Sequence, residues 1–421
     1  MNTFLIIIFV MTYTAIAFEH GLKVNKAAPA LIGAGLLWTV YALSTGHVAS
    51  ELNETLSSTA QIIFFLMGAM TIVEVVDAHE GFNVITDKIK TKKMSTLLWL
   101  IAFATFFLSA VLDNLTTSIV MISVIRKLLE KREDKLFFVA MVVIAANAGG
   151  AWSPLGDVTT TMLWIGGQIS ALTIMHKLLL PSLVNMLIPV AILAYQYRNQ
   201  AVIAPAAMIK HSGEYQTSAF ERSFMFFAGI GFLCAVPVFK TLTHLPPFMG
   251  ILFALGLLWL LGELIHRNKP DETKYDLSLG AALQKIDLSS LVFFVGILLA
   301  VATLEHSHIL SSLADHLDQA VGNQGLIVAI LGLASAVVDN VPLVAAAMGM
   351  YSLSQFPQDS FLWEFLAYAA GTGGSILIIG SAAGVAAMGL EKIEFFWYVR
   401  KISYLALIGY IAGALTYVVF N

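Results

Sequence analysis

The sequence predicts an all-α polytopic membrane protein built from inverted-topology repeats. Hydrophobic residues make up 58% of the 421-residue chain and charged residues only 12%, whereas about a quarter of the residues of a soluble domain are charged. An Asp-Asn pair interrupts a long apolar stretch twice, at 113–114 and at 339–340, 226 positions apart. Such pairs are unfavourable in lipid, so their repetition predicts an internal repeat with a site between its two copies.

A glycine pair follows each Asp-Asn pair at a similar spacing. Residues 147–157 read Asn-Ala-Gly-Gly-Ala-Trp-Ser-Pro-Leu-Gly-Asp, and residues 371–381 read Gly-Thr-Gly-Gly-Ser-Ile-Leu-Ile-Ile-Gly-Ser. Glycine allows a membrane helix to unwind so that its carbonyl groups face a cavity, which predicts a broken helix at both places. The alternative is that these glycines only allow close helix packing.

The N-terminal region and the single cysteine set further limits. Residues 5–18 are apolar and resemble a signal peptide, but no Lys or Arg precedes them, so we predict an uncleaved first span that begins outside. The chain has one cysteine, Cys234, which excludes internal disulfides and cysteine-based metal sites. We expect Cys234 to be a small buried residue of a helix.

The apolar segments divide into about ten transmembrane helices, two of them broken, and two re-entrant helical hairpins. A full span needs about 20 residues, and the pieces beside each Asp-Asn pair are too short for one. We therefore predict hairpins at 95–130 and 326–353, each entering and leaving on one side. The predicted spans cover 3–18, 27–44, 60–76, 136–163, 170–197, 222–240, 247–265, 289–304, 361–388 and 402–420, of which 136–163 and 361–388 are the broken helices.

The positive charges support this topology. Of the 23 Lys and Arg residues, 21 fall in predicted cytoplasmic connections and only Lys177 and Lys240 fall elsewhere. The predicted outer loops 45–59 and 305–325 contain no Lys or Arg. The cytoplasmic connections are 19–27, 77–95, 126–135, 198–222, 266–287 and 391–401. Reading either hairpin as one crossing would destroy this separation. We expect a bacterial-type inner (cytoplasmic) membrane protein with both termini outside.

The same topology divides the chain into two repeats. The first repeat is 1–200, a cytoplasmic linker covers 201–221, and the second repeat is 222–421. The first repeat begins outside and the second begins inside, and such an inverted arrangement places a substrate site near the middle of the bilayer.

Polar residues at the interruptions are the candidate site. Asp157 stands beside the first helix break, and a buried carboxylate there can hold either a proton or a cation, which is the minimal chemistry of an antiporter. Its counterpart in the second repeat is Ser381. The other candidates offer oxygen atoms to a small hard cation: Asp113, Asn114, Thr116, Thr117, Asn147, Ser153, Asp339, Asn340, Thr372 and Ser375. The alternative is that the Asp and Asn residues only cap the half-helices.

Secondary candidates lie near the ends of the third and eighth spans. Glu74, Asp77 and Glu305 are candidates for lining vestibules, and His79 and His306 for sensing pH. Simple placement at the membrane interface is an equal alternative. The sequence contains no P-loop, no His/Cys cluster and no nucleophile motif, so we expect neither an enzyme nor a cofactor. The expected partner is the lipid bilayer, and no nucleic acid.

At these residues the chain resembles the NhaD-type sodium/proton antiporters of the ion transporter superfamily. The resemblance rests on Asp113-Asn-Leu-Thr-Thr, on the 147–157 run, on Asp339-Asn-Val-Pro and on Gly371-Thr-Gly-Gly. It implies a homodimer whose transport domain moves past a scaffold domain in an elevator-like way. Relatives that carry citrate or dicarboxylates have Ser-Asn-Thr-like hairpin tips, whereas Asp113 and Asp339 suit a bare cation.

We therefore expect exchange of intracellular Na⁺ (or Li⁺) for external H⁺. The Na⁺ site would lie at Asp157, Asp113 and Asp339, because sodium accepts oxygen ligands. One alternative is a sodium-coupled carboxylate or oxyanion carrier, which would need a positive charge at the site, and the hairpin tips offer no Arg or Lys. A passive ion channel is a further alternative. Whether there is one cation site or two remains open.

Overall fold

The computed structural model describes residues 1–421 except 18, 20–22, 47, 87–90, 203–216 and 338. Within the described residues, every regular element is an α-helix. The helices are α1 (Asn2–Ala17), α2 (Ala27–Thr45), α3 (Ala49–Ala78), α4 (Asn83–Thr86), α5 (Met94–Ser109), α6 (Asn114–Leu128), α7 (Arg132–Ala151), α8 (Val158–Ile165), α9 (Ala171–Gln196), α10 (Ala219–Thr243), α11 (Pro247–His266), α12 (Asp271–Asp276), α13 (Leu279–Lys285), α14 (Leu288–His306), α15 (Ile309–Val321), α16 (Gln324–Ala334), α17 (Asn340–Met350), α18 (Phe361–Gly373), α19 (Ala382–Glu391), α20 (Phe395–Lys401) and α21 (Ser403–Phe420).

Eight continuous helices of the described chain are long and apolar enough to cross a membrane. They are α2, α3, α7, α9, α10, α11, α14 and α21. This agrees with a multi-pass membrane protein. Of the ten predicted spans, α1 is a shorter helix of 16 residues, and the span predicted at 361–388 is divided between α18 and α19.

Two predicted loops are largely helical. The prediction of a loop at 45–59 is wrong for most of these residues, because α3 begins at Ala49. The loop expected at 305–325 contains α15, which is bent by 115° against α16. Charged or polar residues made both segments look like loops, but helix ends that leave the apolar layer can remain helical and carry them.

The helices are interrupted at the four places that the motifs indicate. Gaps separate α5 from α6, α7 from α8, α16 from α17, and α18 from α19. The first N–H groups of a helix have no partner within it, and here a side chain at each gap accepts a hydrogen bond from one of them. The capping residues are Asp113, Asp157, Asp339 and Ser381. Capping is therefore one role of these residues.

The glycine pairs lie at or just before the helix breaks and also allow close packing. Helix α7 ends at Ala151, just after its glycines, and α18 ends at Gly373, so that Gly374 lies in the gap. A Cβ atom on Gly149 would lie 2.2 Å from the carbonyl oxygen of Phe106, and one on Gly373 would lie 2.0 Å from that of Gly332. Both helices are therefore broken as predicted, and their glycines also serve close packing.

The helices form two packing groups. In the first, which we call the frame helices, α2 packs against α14, α3 against α11 and α14, α1 against α2, and α10 against α11. In the second, the site helices, α7 packs against α5, α6, α9, α18 and α19, while α9 packs against α21 and α16 against α18. Helix α17 packs against helices of both groups, namely α14 on one side and α8 and α18 on the other, and α8 also contacts α3.

The connections separate to two ends of the molecule. At what we call the basic end, Lys285 pairs with Glu74 at 3.6 Å and Lys269 with Glu221 at 2.8 Å. At the opposite, acidic end, the Tyr351 hydroxyl donates to Asp318 at 3.3 Å. Helix α3 runs between the ends, from Ala49 to Ala78. The side of the membrane that each end faces stays a prediction.

Two further expectations meet the structure here. Cys234 lies in α10 with an exposed side chain, so its expected burial is wrong. Much of α10 faces outward, since only 28% of its apolar stretch is buried inside the molecule. Most of the predicted linker 201–221 lies outside the described residues.

Candidate functional site

Asp157 is the centre of a buried polar cluster. It is 2% exposed, and it begins α8 after the first broken helix. Its Oδ1 accepts hydrogen bonds from the backbone N–H of Thr159 at 2.9 Å and from the Thr159 hydroxyl at 2.8 Å. Its Oδ2 accepts from Nδ2 of Asn114 at 2.7 Å and from Nδ2 of Asn340 at 3.3 Å. Both carboxylate oxygens are therefore held by donors.

The two amides that reach Asp157 come from the two Asp-Asn pairs. Asn114 is the first residue of α6 and Asn340 the first residue of α17, and both side chains are buried. Each capping Asp places its neighbouring Asn at the start of a half-helix. The two interruptions, far apart in sequence, thus meet at one carboxylate.

Asn147 connects this carboxylate to the second broken helix. Its Oδ1 accepts a hydrogen bond from Nδ2 of Asn114 at 3.0 Å. Its Nδ2 donates to the hydroxyls of Ser375 at 2.9 Å and Ser381 at 2.8 Å. All four interruptions are joined in one network, in which Ser381 occupies the position that corresponds to Asp157.

Asp113 and Asp339 lie beside the central carboxylate. Both line a cavity of about 70 Å³ that Asp157 also lines. The Asp113 carboxylate accepts from the backbone N–H and the hydroxyl of Thr116, each at 2.7 Å. Asp339 instead contacts the ammonium of Lys26, with 2.7 Å between Nζ and Oδ2. Three carboxylates therefore line a cavity that is large enough for a few water molecules.

Lys26 is the site residue that the sequence did not reveal. The expectation that no Lys or Arg reaches the tips is wrong, because Lys26 precedes α2 and yet contacts Asp339, 313 positions away. Nothing in the sequence distinguishes it from other lysines of the basic connections. Thr159 was also missed, although its place two residues after a capping Asp is a signal for a hydrogen bond to that Asp.

Three of the predicted hydroxyl residues differ in their surroundings. Thr117 is fully buried, and its hydroxyl has no hydrogen-bond partner among the described residues. The Thr372 hydroxyl donates to the carbonyl of Tyr368 at 2.6 Å, and the Ser153 hydroxyl accepts from the N–H of Leu155 at 3.2 Å. The Thr117 hydroxyl is therefore unpaired within the described residues, whereas Thr372 and Ser153 are engaged in local structure.

The acidic vestibule candidates lie away from this cluster. Asp77 and Glu305 are exposed, and Glu74 pairs with Lys285. Nε2 of His306 lies 3.2 Å from the hydroxyl of Thr55 at the acidic end. None of these four predicted residues lines the described cavity around Asp157.

His79 is buried at the basic end. Its Nε2 lies 3.2 Å from Nε2 of His266, and its Nδ1 lies 2.6 Å from the carbonyl oxygen of Val75. Burial lowers the pKa of His79 to about 4. The imidazole is then neutral throughout the range near pH 7, which argues against a sensor of pH near neutrality.

The cluster has the chemistry of a site for exchangeable cations. A carboxylate that is surrounded by hydrogen-bond donors can bind either a proton or a small metal ion. Binding of one lowers its affinity for the other. Oxygen donors without sulfur or imidazole suit a hard cation. Among the described residues, no group of three or more His, Cys, Asp or Glu side chains forms a metal-binding cluster, so the cation would rely on amide, hydroxyl and carbonyl oxygens as well.

Comparison with known proteins agrees with this chemistry. A family model described as "Citrate transporter" matches residues 4–373. "Sodium/proton antiporter 1" of Arabidopsis thaliana is 49% identical over 98% of this chain and 71% of its own length. "Na(+)/H(+) antiporter NhaD" of Alkalimonas amylolytica is 30% identical over 97% of this chain and 88% of its own. The chain belongs to the NhaD-type sodium/proton antiporters.

This membership fits the carboxylates at the interruptions. The protein of the same name in Vibrio cholerae is 29% identical over 99% of this chain and 91% of its own length. Relatives of this kind cover both halves of the chain, so all four interruptions lie within the matched region. In this NhaD-type chain the polar cluster that joins them is the natural candidate for the ion site.

Proposed function

We propose that this protein exports Na⁺, or Li⁺, from the cytoplasm in exchange for entering H⁺. Sodium/proton exchange is the activity in the names of its relatives. The single observation that carries the proposal within this chain is the environment of Asp157. It is a buried carboxylate to which the amides of both Asp-Asn pairs donate.

Coupling would follow from alternate occupation of Asp157. With Na⁺ bound, the carboxylate is ionised and keeps the four donors from Thr159, Asn114 and Asn340. With H⁺ bound, its new O–H group needs an acceptor, and the Thr159 hydroxyl can rotate from donor to acceptor. The site thus accommodates either ion and not both, so each can cross only by displacing the other.

Asp113 and Asp339 would complete the cation site with Asn147 and the free hydroxyl of Thr117. Ser375 would support Asn147, and Thr116 would hold Asp113. The second repeat offers Ser381 where the first has Asp157, and the Asn147 amide donates to that serine. An N–H donor at this position is unfavourable for a second cation, so we propose one cation site.

We also propose the inverted repeats 1–200 and 222–421 with re-entrant hairpins. Equivalent contacts in the two halves support this. The Ser109 hydroxyl donates to the carbonyl of Ala146, and the Ser335 hydroxyl donates to the carbonyl of Ala370. Both outer ends of α5–α6 lie at the basic end, where Met94 N–H donates to Gln200 and Arg126 contacts Glu391. Both outer ends of α16–α17 lie at the acidic end, where Tyr351 contacts Asp318.

The basic end would face the cytoplasm of an inner-membrane protein, because positive connections remain inside. Both termini would then lie outside. Following the family resemblance, we propose a homodimer in which the site helices move past the frame helices. The division of the helices into two packing groups supports such a movement.

The rival within the same family is a sodium-coupled carboxylate carrier. The family model is described by citrate transport, and Lys26 does place one positive charge at the site. That charge is already paired with Asp339, and Asp157 and Asp113 leave an excess of negative charge. A citrate-like anion would meet net repulsion in this cavity.

Purified protein in sealed proteoliposomes that contain a pH dye tests the proposal. We expect Na⁺ or Li⁺ to cause a rapid pH change that choline does not, with and without an ionophore that clamps the voltage. The response to voltage reports whether the exchange moves net charge. Absence of a pH change together with Na⁺-stimulated uptake of citrate would overturn the proposal in favour of the carrier.

A further inference from the structure

Lys26 is the one basic side chain of the described chain that contacts an acidic residue of the site. Its Nζ lies 2.7 Å from Oδ2 of Asp339 and 4.3 Å from the centre of the Phe293 ring. Its backbone N–H donates to Glu19 at 3.2 Å, and the preceding Asn25 donates to Ser289 at 2.7 Å. These contacts attach Lys26 to α14 and thus to the frame helices.

Asp339 lies on the other side of this pair, at the start of α17. Helix α17 packs against α14 and also against α8 and α18. The residue next to Asp339 is Asn340, whose amide donates to Asp157. The Lys26–Asp339 pair therefore connects the segment before α2 to the residues that hold Asp157.

The pair also stands between two cavities. The cavity of about 70 Å³ that contains Asp157 is lined by Lys26 and Asp339. A second cavity of about 600 Å³ is lined by the same two residues and by Glu19, Asn25 and Asp287 from the connections of the basic end. Lys26 and Asp339 therefore lie where the Asp157 cavity adjoins the larger cavity.

An ammonium on Asp339 fills the role that a transported cation would fill there. It supplies one positive charge and donates to a carboxylate oxygen that a sodium ion would otherwise approach. Lysine is suited to this, since its ammonium is a compact point charge on a flexible stem. Partial exposure of both side chains, 24% and 19%, leaves room for the exchange of one cation for the other.

We propose that Lys26 is a tethered cation that competes with Na⁺ for Asp339 and so controls passage between the Asp157 cavity and the basic end. When Na⁺ arrives, Lys26 releases Asp339; when Na⁺ leaves towards the basic end, Lys26 returns and hinders rebinding. This assigns Lys26 a positioning role in ion selection and release. The inference rests on the proposed antiport function and names a further residue of the same site.

The test is the apparent KM for Na⁺ in the proteoliposome assay, measured for Lys26→Gln, Asp339→Asn and the double variant. Competition predicts shifts of the KM in opposite directions. Lys26→Gln lowers the KM for Na⁺ at least threefold, because Na⁺ no longer competes with the ammonium for Asp339. Asp339→Asn raises the KM for Na⁺, because it removes a carboxylate of the site. In the Asp339→Asn background, Lys26→Gln has no further lowering effect. A merely structural pair predicts shifts in the same direction, since both changes break the same contact, and that result would overturn the proposal.

Two comparisons separate the charge from its neighbourhood. Lys26→Arg keeps the positive charge and should retain a KM close to that of the unaltered protein. Lys23→Gln is the matched control, because Lys23 is exposed in the same connection, and its KM should not change. An equal fall in KM for Lys23→Gln would mean that general surface charge is responsible, which also contradicts the proposal.

A chemical rescue covers the case in which Lys26→Gln does not fold. Cys234 is the sole cysteine of the chain, so Lys26→Cys in a Cys234→Ser background offers one thiol. The reagent 2-aminoethyl methanethiosulfonate restores an ammonium there and should raise the KM, whereas methyl methanethiosulfonate should not. Equal KM values after both reagents would refute the role of charge.

The two proposals fail in different ways. If the unaltered protein shows no Na⁺-dependent pH change, the antiport function fails. If the unaltered protein shows that pH change and these variants leave the KM unchanged, only the role of Lys26 fails.

Discussion

Replacement of Asp157 by Asn is the most direct perturbation of the site. The change removes the negative charge and substitutes an NH₂ group for one carboxylate oxygen. The structure places N–H donors at both carboxylate oxygens: the Thr159 backbone at 2.9 Å from Oδ1, and Asn114 at 2.7 Å and Asn340 at 3.3 Å from Oδ2. The new NH₂ therefore faces a donor whichever way the amide is oriented, and one buried donor loses its acceptor.

The expected magnitudes follow from these contacts. A cation about 4 Å from a carboxylate is attracted by about 4 kcal/mol at an effective dielectric constant of about 20. Loss of that attraction weakens cation binding by about 1000-fold, because about 1.4 kcal/mol corresponds to tenfold. The unsatisfied buried donor costs about 1–3 kcal/mol of stability. We therefore expect no measurable exchange from a protein that still folds.

The assay is Na⁺-induced proton movement in proteoliposomes, combined with the thermal transition temperature of the purified protein. Asp315→Asn is the matched control, since Asp315 is an exposed carboxylate on α15, and it should keep full exchange. Exchange by Asp157→Asn at more than a tenth of the normal rate, with correct folding, would refute the central role of Asp157. Loss of exchange in Asp315→Asn would show that the assay responds to unspecific change.

Three other predictions concern stability and pH. Nζ of Lys177 lies 2.9 and 3.0 Å from the two carboxylate oxygens of fully buried Glu364, so Lys177→Met should destabilise the protein by about 2–4 kcal/mol. Adding Glu364→Gln to this variant should recover part of the lost transition temperature. A lower transition temperature in the double variant than in Lys177→Met would contradict this prediction. Gly149→Ala should lower the transition temperature strongly because its Cβ would lie 2.2 Å from the Phe106 carbonyl, whereas Gly256→Ala, with nothing within 4 Å of its Cβ, should not. Because the pKa of His79 is lowered to about 4, the neutral ring stabilises the fold above about pH 6.5, and this contribution is lost as the pH falls towards 4. His79→Phe should flatten the pH dependence of the transition temperature in that window and leave the pH profile of exchange between pH 7 and 9 unchanged; a shifted profile would restore His79 as a pH sensor.

The interruptions were predictable because local chemistry determines them. Asp and Asn end a helix and cap the next one through their own side chains, so Asp113, Asp157 and Asp339 indicate the gaps without any knowledge of tertiary packing. Spacing alone also predicts two related halves, because the Asp-Asn pairs and the glycine pairs recur at nearly equal distances. The convergence of Asn114 and Asn340 on Asp157 was expected only as a site between two copies.

Other features were not predictable from local sequence. The glycine pairs at 149–150 and 373–374 are compatible with both helix breaks and close packing. Only the structure shows that they serve both, with the carbonyl groups of Phe106 and Gly332 against Gly149 and Gly373 and helix ends at Ala151 and Gly373. The loops expected before α3 and around α15 failed because polarity indicates exposure to water and does not exclude a helix. His79 looked like an exposed interfacial residue until the structure placed it against His266.

The sequence by itself determined that this is a helical membrane protein with acidic interruptions and positive connections, because these follow from composition and charge. It also predicted two similar halves, from the repeated spacing of its motifs. The tertiary structure alone decided which distant groups meet. It placed Lys26 on Asp339 and Asn147 on Ser381, and it left Asp77 and Glu305 exposed, away from the site. The physical reason is that a side chain's chemistry is local, whereas its partner depends on how the frame and site helices pack.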